Sequence, residues 1–245
     1  AAIEEEVSSK PGFAEVLDCP KSPIPESQLS LVNFSDYPDD EIINCFNFAA
    51  NKIAEMQTDV MMIMYPVGPF LSGEVKNNDT DYRGPGFEPV LTADQRDSMA
   101  SSLESYLEPA CGGEFATYQA RQVSRFAELG GGQQVAGGGG GSDECAKKRW
   151  MILSIDPDRA GPSKELVTTF FHEVFHTVQA SPGPSCNYSG APEGDQFWIH
   201  EAGASFFGLE MAAELADLDS DVVWDDHMSF VSNLLGNQEI SSEFE

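Results

Sequence analysis

The sequence predicts an α+β domain in which helices pack against a small mixed sheet. Two apolar runs, 60–65 and 150–155, are typical of buried strands, and a proline follows each of them closely. Apolar residues recur at helical spacing in 39–56 and again in 163–180. A chain of 245 residues, 41% of them hydrophobic, is long enough to bury one core of this kind.

The chain is predicted to consist of an N-terminal arm and one domain. Residues 1–30 are proline-rich and contain many serines and glutamates, a composition that resists regular structure. The domain is expected to span 31–245. Within it, the segment 130–141 holds eight glycines in twelve positions, and we expect a mobile surface loop there. No Gly-Lys-Ser/Thr follows, so phosphate binding is not indicated.

The middle of the chain predicts one clear helix and one ambiguous segment. Thr92 and Gln95 have the spacing of a capping box, and the helix that follows is expected to end at Pro109. The segment 115–129 fits either a helix or a strand.

Charge and composition exclude several classes of function. The chain has 41 acidic and 13 basic residues and a formal net charge of −28. Such a charge repels nucleic acid and anionic lipid, so neither is an expected partner. The longest apolar stretch is far shorter than the roughly 20 residues that a spanning helix needs, so we expect no membrane insertion.

Cysteine usage favours an extracellular location. The five cysteines are widely spaced and form no C-x-x-C pair, which argues against a thiolate zinc site. At most two disulfides and one thiol can form within the chain. The first residue is Ala1, which fits either a mature form after signal removal or a trimmed chain.

The pattern H-E-x-x-H occurs at His172, Glu173 and His176. Residues four apart on a helix lie one turn above each other, so both imidazoles can bind one metal ion. Glu173 lies about 100° round the helix and is placed to act as general base toward a water molecule. Two histidines on a solvated helix face are the alternative interpretation of the same pattern.

A catalytic zinc site needs a third protein ligand, and Glu201 is the candidate. On a helical projection Glu201 shares one stripe with small residues, namely Ala204, Ser205, Gly208 and Ala212. Small side chains let two helices approach closely, which a short carboxylate needs if it is to reach a metal on a neighbouring helix. Ordinary helix packing with Glu201 at the end of the stripe is the alternative.

These residues resemble a known signature. The segment that begins at Trp198 is similar to the W-x-x-E-G-x-A-S-Y-F stretch of gluzincin aminopeptidases, with matches at Trp198, Glu201, Ala204, Ser205, Phe206 and Phe207. The H-E-x-x-H pattern is the first half of that signature. The resemblance covers 163–212 and implies a zincin-like fold in which one Zn²⁺ per chain is held by His172, His176 and Glu201.

The resemblance has limits that bear on activity. The spacer between His176 and Glu201 is longer than in those families, and no G-x-M-E-N segment occurs, so exopeptidase activity is not implied. No histidine lies six positions beyond His176, which excludes the metzincin pattern. The strand 150–155 is expected to lie near the cleft, and an edge strand there is expected to bind substrate in extended form, as in zincins of this kind.

The mechanism that the resemblance implies is attack of water on a peptide carbonyl. Zinc would lower the pKa of its bound water toward about 7, and Glu173 would take the proton. Tyr188 and His227 are candidates to contact the transition state or substrate, although a structural role fits each of them as well. Gln179 and His200 are polar candidates for orienting the ligands.

Taken together, the residues predict a secreted zinc metallopeptidase with a zincin-like catalytic domain in 31–245. It is expected to act on a peptide or protein substrate as an endopeptidase, and no particular oligomeric state is predicted. Two alternatives stay open: a metal-bearing but catalytically inactive binding domain of the same fold, and an acidic structural protein without metal.

Overall fold

The computed structural model describes residues 19–25, 28–53, 56, 58–69, 87–128, 134–138, 142–155, 166–179, 195–217 and 224. Within them a four-stranded sheet and six helices form a mixed α/β structure. The strands are β1 (Leu29–Asn33), β2 (Asp59–Pro66), β3 (Gln134–Gly138) and β4 (Lys148–Ile155). The helices are α1 (Asp39–Lys52), α2 (Ala93–Cys111), α3 (Gly113–Glu128), α4 (Asp143–Ala146), α5 (Leu166–Gln179) and α6 (Asp195–Ala216).

The sheet is mixed, as predicted. Its strand order is β1-β2-β4-β3, with β1 and β4 parallel to β2 and β3 antiparallel to β4. Ile63 of β2 lies between Val32 of β1 and Ile152 of β4 in the register. Both predicted strands are confirmed, and main-chain pairing extends each of them by one or two residues beyond its apolar run.

Helices cover both faces of the sheet. Side chains alternate along a strand, so Met62 and Met64 of β2 lie in the core formed with α1, α5 and α6. Ile63 and Tyr65 of the same strand lie in a second core, formed with α2 and α3. The central strands β2 and β4 are therefore buried on both sides, which explains why their sequences are continuous apolar runs.

Helix α2 begins as predicted and ends later than predicted. The Thr92 hydroxyl accepts a hydrogen bond from the main-chain N–H of Gln95, and the Gln95 side chain accepts one from Thr92 N–H, so the capping box is confirmed. The expected end at Pro109 is wrong, because the helix continues to Cys111. Pro109 has no N–H to donate within the helix but does not end it, and Gly112, with a φ of 83°, terminates the helix instead.

The ambiguous segment 115–129 belongs to a helix. Ala116, Ala120, Val123 and Ala127 of α3 are buried, at the spacing of one helix face. Short alanine side chains on this face gave a weak periodic signal, which is why the sequence left the choice open.

The glycine-rich segment 130–141 is not a loop throughout, because residues 134–138 form β3. Main-chain pairing with β4 needs no side chain. Glycine is favoured at the last two positions, since a β-carbon at Gly137 would overlap the Trp150 ring and one at Gly138 would overlap the Arg149 side chain. The expectation rested on the conformational freedom of glycine and overlooked this close approach to a neighbouring strand.

The predicted boundary of the N-terminal arm also shifts. Strand β1 begins at Leu29, inside the predicted arm 1–30. A disulfide between Cys19 and Cys45 attaches the preceding chain to α1. A second disulfide joins Cys111 to Cys145.

No helix in the described part of the chain combines the length and the apolar character that crossing a bilayer requires.

Candidate metal centre

Helix α5 presents one face to the core and another toward α6. Phe170, Phe171 and Val174 are fully buried in the core between the sheet and the helices. His172 and His176, one turn apart, stay partly accessible, with 20% and 17% of their side chains exposed. The first three residues and the last residue of the predicted helix 163–180 lie outside the described residues.

The three predicted ligands meet where α5 faces α6. The Nε2 atoms of His172 and His176 lie 2.9 Å apart, and the two rings stand nearly perpendicular at 81°. One carboxylate oxygen of Glu201 lies 3.3 Å from His172 Nε2, and the other lies 3.4 Å from His176 Nε2. The two histidines and Glu201 therefore lie together, as the sequence predicted.

The spacing of these donor atoms fits a small divalent cation. Ligands about 2.0–2.1 Å from a tetrahedral zinc ion lie about 3.3–3.4 Å from one another. The two imidazole nitrogens are 2.9 Å apart, somewhat closer than that, and each lies 3.3 or 3.4 Å from one of the two Glu201 oxygens. Two imidazole nitrogens and a carboxylate are ligands that zinc accepts, and zinc sites with three protein ligands keep a fourth position for water or substrate.

The charges in the site favour an ionised carboxylate beside the imidazoles. Contacts with His172 and His176 hold the pKa of Glu201 well below its ordinary value. Burial opposes a charged His176, but contacts with Glu201 and Glu173 outweigh it and raise the pKa of the imidazole. A bound cation would take the place of these protons between the ligand atoms.

Glu173 lies next to the ligands but in a different environment. It is only 4% exposed, and its Oε2 atom has no hydrogen-bond partner among the described residues. Burial raises the pKa of Glu173 to about 7, although the neighbouring imidazoles oppose the shift. Burying a carboxylate oxygen without a hydrogen-bond partner is energetically costly. A general base needs such a free oxygen to accept a proton from a water molecule or substrate.

Polar side chains contact the outer ring nitrogens of both histidines. The Gln179 carbonyl oxygen lies 2.7 Å from His176 Nδ1. Ser205 Oγ lies 3.4 Å from His172 Nδ1. The sequence predicted Gln179 as an orienting residue. It placed Ser205 in the small-residue stripe and among the signature matches without a role, because no pattern distinguishes a serine that packs from one that contacts a ligand.

The remaining predicted site residues are not placed. Tyr188 and His227, the candidates for transition-state or substrate contact, lie outside the described residues, and so does the side chain of His200. Their roles stay predictions.

Comparisons with protein-family models, with curated proteins and with solved structures find no match for this chain. The zincin-like fold and the gluzincin resemblance therefore stay predictions made from the residues. Independently of them, His172, His176 and Glu201 form a group that can hold a metal ion.

Proposed function

We propose that this chain is a secreted, zinc-dependent endopeptidase with a zincin-like catalytic domain. The observation that carries the proposal is the convergence of His172, His176 and Glu201 next to Glu173, a buried carboxylate with an unpaired oxygen. Among the described residues three ligands converge beside this carboxylate, an arrangement typical of a catalytic site, whereas a structural zinc site would normally be closed by four protein ligands.

Each residue has a distinct role in the proposed reaction. His172, His176 and Glu201 would hold the zinc ion. When bound, zinc supplies Lewis acidity that activates water and polarises the substrate carbonyl. Glu173 takes the proton from the attacking water, and a pKa near 7 suits a group that accepts a proton and then donates it to the leaving amine at neutral pH.

The proposed substrate path follows the edge of the sheet. Strand β4 has partners on both sides, so the edge strand beside it is β3. Helix α5 packs against both β3 and β4, which brings the ligand-bearing helix close to this edge. We expect an extended peptide to pair with the main chain of β3, since an edge strand offers unpaired N–H and C=O groups.

The proposed extracellular location has support of its own. Two disulfides occur in the described residues, and disulfides persist mainly in oxidising compartments. They are compatible with secretion.

The test compares the zinc-loaded wild type with Glu173→Gln on quenched peptides whose two termini are blocked. The variant should lose at least about 100-fold in kcat, since it removes the general base, while one zinc ion per chain is retained. Glu214→Gln is the matched control, because Glu214 makes an exposed ion pair with Lys52. Equal cleavage by wild type and Glu173→Gln would contradict the assigned base. Zinc binding without cleavage by either would favour the inactive binding domain.

A further inference from the structure

We infer that Gln179 positions His176 for metal binding by fixing which ring nitrogen carries the proton, and that Gly203 is a glycine because the Gln179 amide occupies the space of a side chain. The inference rests on the proposed metal site. It adds two positioning residues that the H-E-x-x-H pattern does not contain.

The contact between Gln179 and His176 selects one imidazole tautomer. A glutamine carbonyl oxygen can only accept a hydrogen bond, so at 2.7 Å the Nδ1 atom of His176 must be the donor. The neutral ring then has its lone pair on Nε2. This is the nitrogen that lies 2.9 Å from His172 and 3.4 Å from a Glu201 oxygen. The opposite tautomer would place a proton between the ligand atoms.

Because Gly203 on α6 has no side chain, it leaves space for the Gln179 amide. A β-carbon at Gly203 would come 2.8 Å from the amide nitrogen of Gln179 and 3.4 Å from Cε1 of Phe175. Phe175 is itself stacked on Phe207, with ring centroids 5.0 Å apart, so the two helices are in contact on that side. The amide is the end of a flexible side chain. An alanine at Gly203 would therefore displace the amide and leave the helices in place.

The second histidine has a weaker partner. Ser205 Oγ lies 3.4 Å from Nδ1 of His172, and a hydroxyl can either donate or accept. It does not select a tautomer. Zinc affinity should therefore fall more when Gln179, the partner of His176, is replaced than when Ser205, the partner of His172, is replaced.

Zinc affinity, measured by competition with a chromophoric chelator, tests the inference without any assay of activity. Gln179→Met keeps the length of the side chain but removes the acceptor, and it should weaken zinc binding by about 10–100-fold, as loss of such partners usually does. Gln179→Glu restores an acceptor oxygen and should bind zinc nearly as tightly as wild type. Ser205→Ala should have a smaller effect than Gln179→Met.

Gly203→Ala tests the second half of the inference. It should weaken zinc binding about as much as Gln179→Met, and the double variant should be no worse than either single one, because both remove the same contact. Gly113→Ala is the matched control, since a β-carbon there would meet only one atom, at 3.5 Å. The melting temperature of zinc-free protein checks that each variant folds.

A spectroscopic measurement gives an independent readout. In ¹⁵N-histidine-labelled, zinc-free protein at a pH where the ring is neutral, His176 should carry its proton on Nδ1 in wild type and in Gln179→Glu, and should populate both tautomers in Gln179→Met. Two results would overturn the inference while leaving the proposed function intact. One is a zinc affinity in Gln179→Met equal to that of wild type, and the other is a loss of zinc affinity in Gln179→Glu as large as that in Gln179→Met. Wild-type protein that binds no zinc would overturn both.

Discussion

Gly208 on α6 lies directly against the main chain of His172 on α5. A β-carbon at Gly208 would stand 3.2 Å from the His172 nitrogen and 2.6 Å from the carbonyl oxygen of Thr168. The two helices therefore touch backbone to backbone at this point. Glu201 lies two turns earlier on the same face of α6, so this contact sets how far its short carboxylate reaches toward the histidines.

Gly208→Ala should push the two helices apart. The overlap is with backbone atoms, which cannot rotate away, so we expect a loss of about 1–3 kcal/mol in the free energy of unfolding. Zinc affinity should fall as well, because Glu201 moves away with α6. Chemical denaturation and chelator competition measure the two effects, with Gly113→Ala as the control. A variant as stable as wild type with unchanged zinc affinity would show that helix contact does not define the site.

Glu201→Gln should weaken zinc binding by more than about 100-fold, because it replaces an anionic ligand with a neutral amide. Loss of a residue that only hydrogen-bonds to a ligand costs up to about 100-fold, and loss of the ligand itself should cost more. Glu214→Gln on the same helix is the control and should bind zinc normally, since the Glu214 carboxylate makes an exposed ion pair with Lys52. Elemental analysis after dialysis gives the zinc content of each protein. Equal zinc content in all three would remove Glu201 from the site.

The metal-free chain should lose stability as the pH rises from about 5 to about 8. Burial raises the pKa of Glu173 to about 7 in the folded chain, above its ordinary value, so the folded state holds a proton that the unfolded state releases. The raised pKa of His176 acts in the same direction. In Glu173→Gln the decrease in the free energy of unfolding over this pH range should be smaller than in wild type by about 2–3 kcal/mol.

Urea denaturation in the presence of a chelator measures this dependence at several pH values. Parallel stability profiles for wild type and Glu173→Gln would show that the carboxyl titrates normally in the folded chain.

Reduction of the two disulfides should destabilise the fold without removing the metal ligands. Cys19 and Cys45 are 26 residues apart, and Cys111 and Cys145 are 34 residues apart. Loop closures of these lengths are each worth about 3–4 kcal/mol in the unfolded-chain entropy model. Serine pairs that replace each bridge separately, compared by thermal unfolding with and without reductant, should each lower the melting temperature. A reductant-insensitive wild type would contradict the prediction.

Much of the fold was predictable because local signals agree with tertiary structure. The apolar runs in β2 and β4 are buried on both faces, and the Thr92–Gln95 pair caps α2 as its spacing predicts. The prediction failed at β3, where the residues that matter are glycines. Glycine is favoured there because Trp150 and Arg149 on the neighbouring strand occupy the space of a side chain, and no local sequence pattern reveals this.

By itself the sequence determined that His172 and His176 share one helix face, because four residues make about one turn of any α-helix. It also determined which carboxylate could join them, through the small residues that follow Glu201. Tertiary structure alone decided that the carboxylate lies 3.3 and 3.4 Å from the two imidazoles and that Gln179 contacts the outer nitrogen of one of them. Those distances depend on how closely two helices approach, and only contacts between residues far apart in the chain, such as Gly208 with His172, fix that approach.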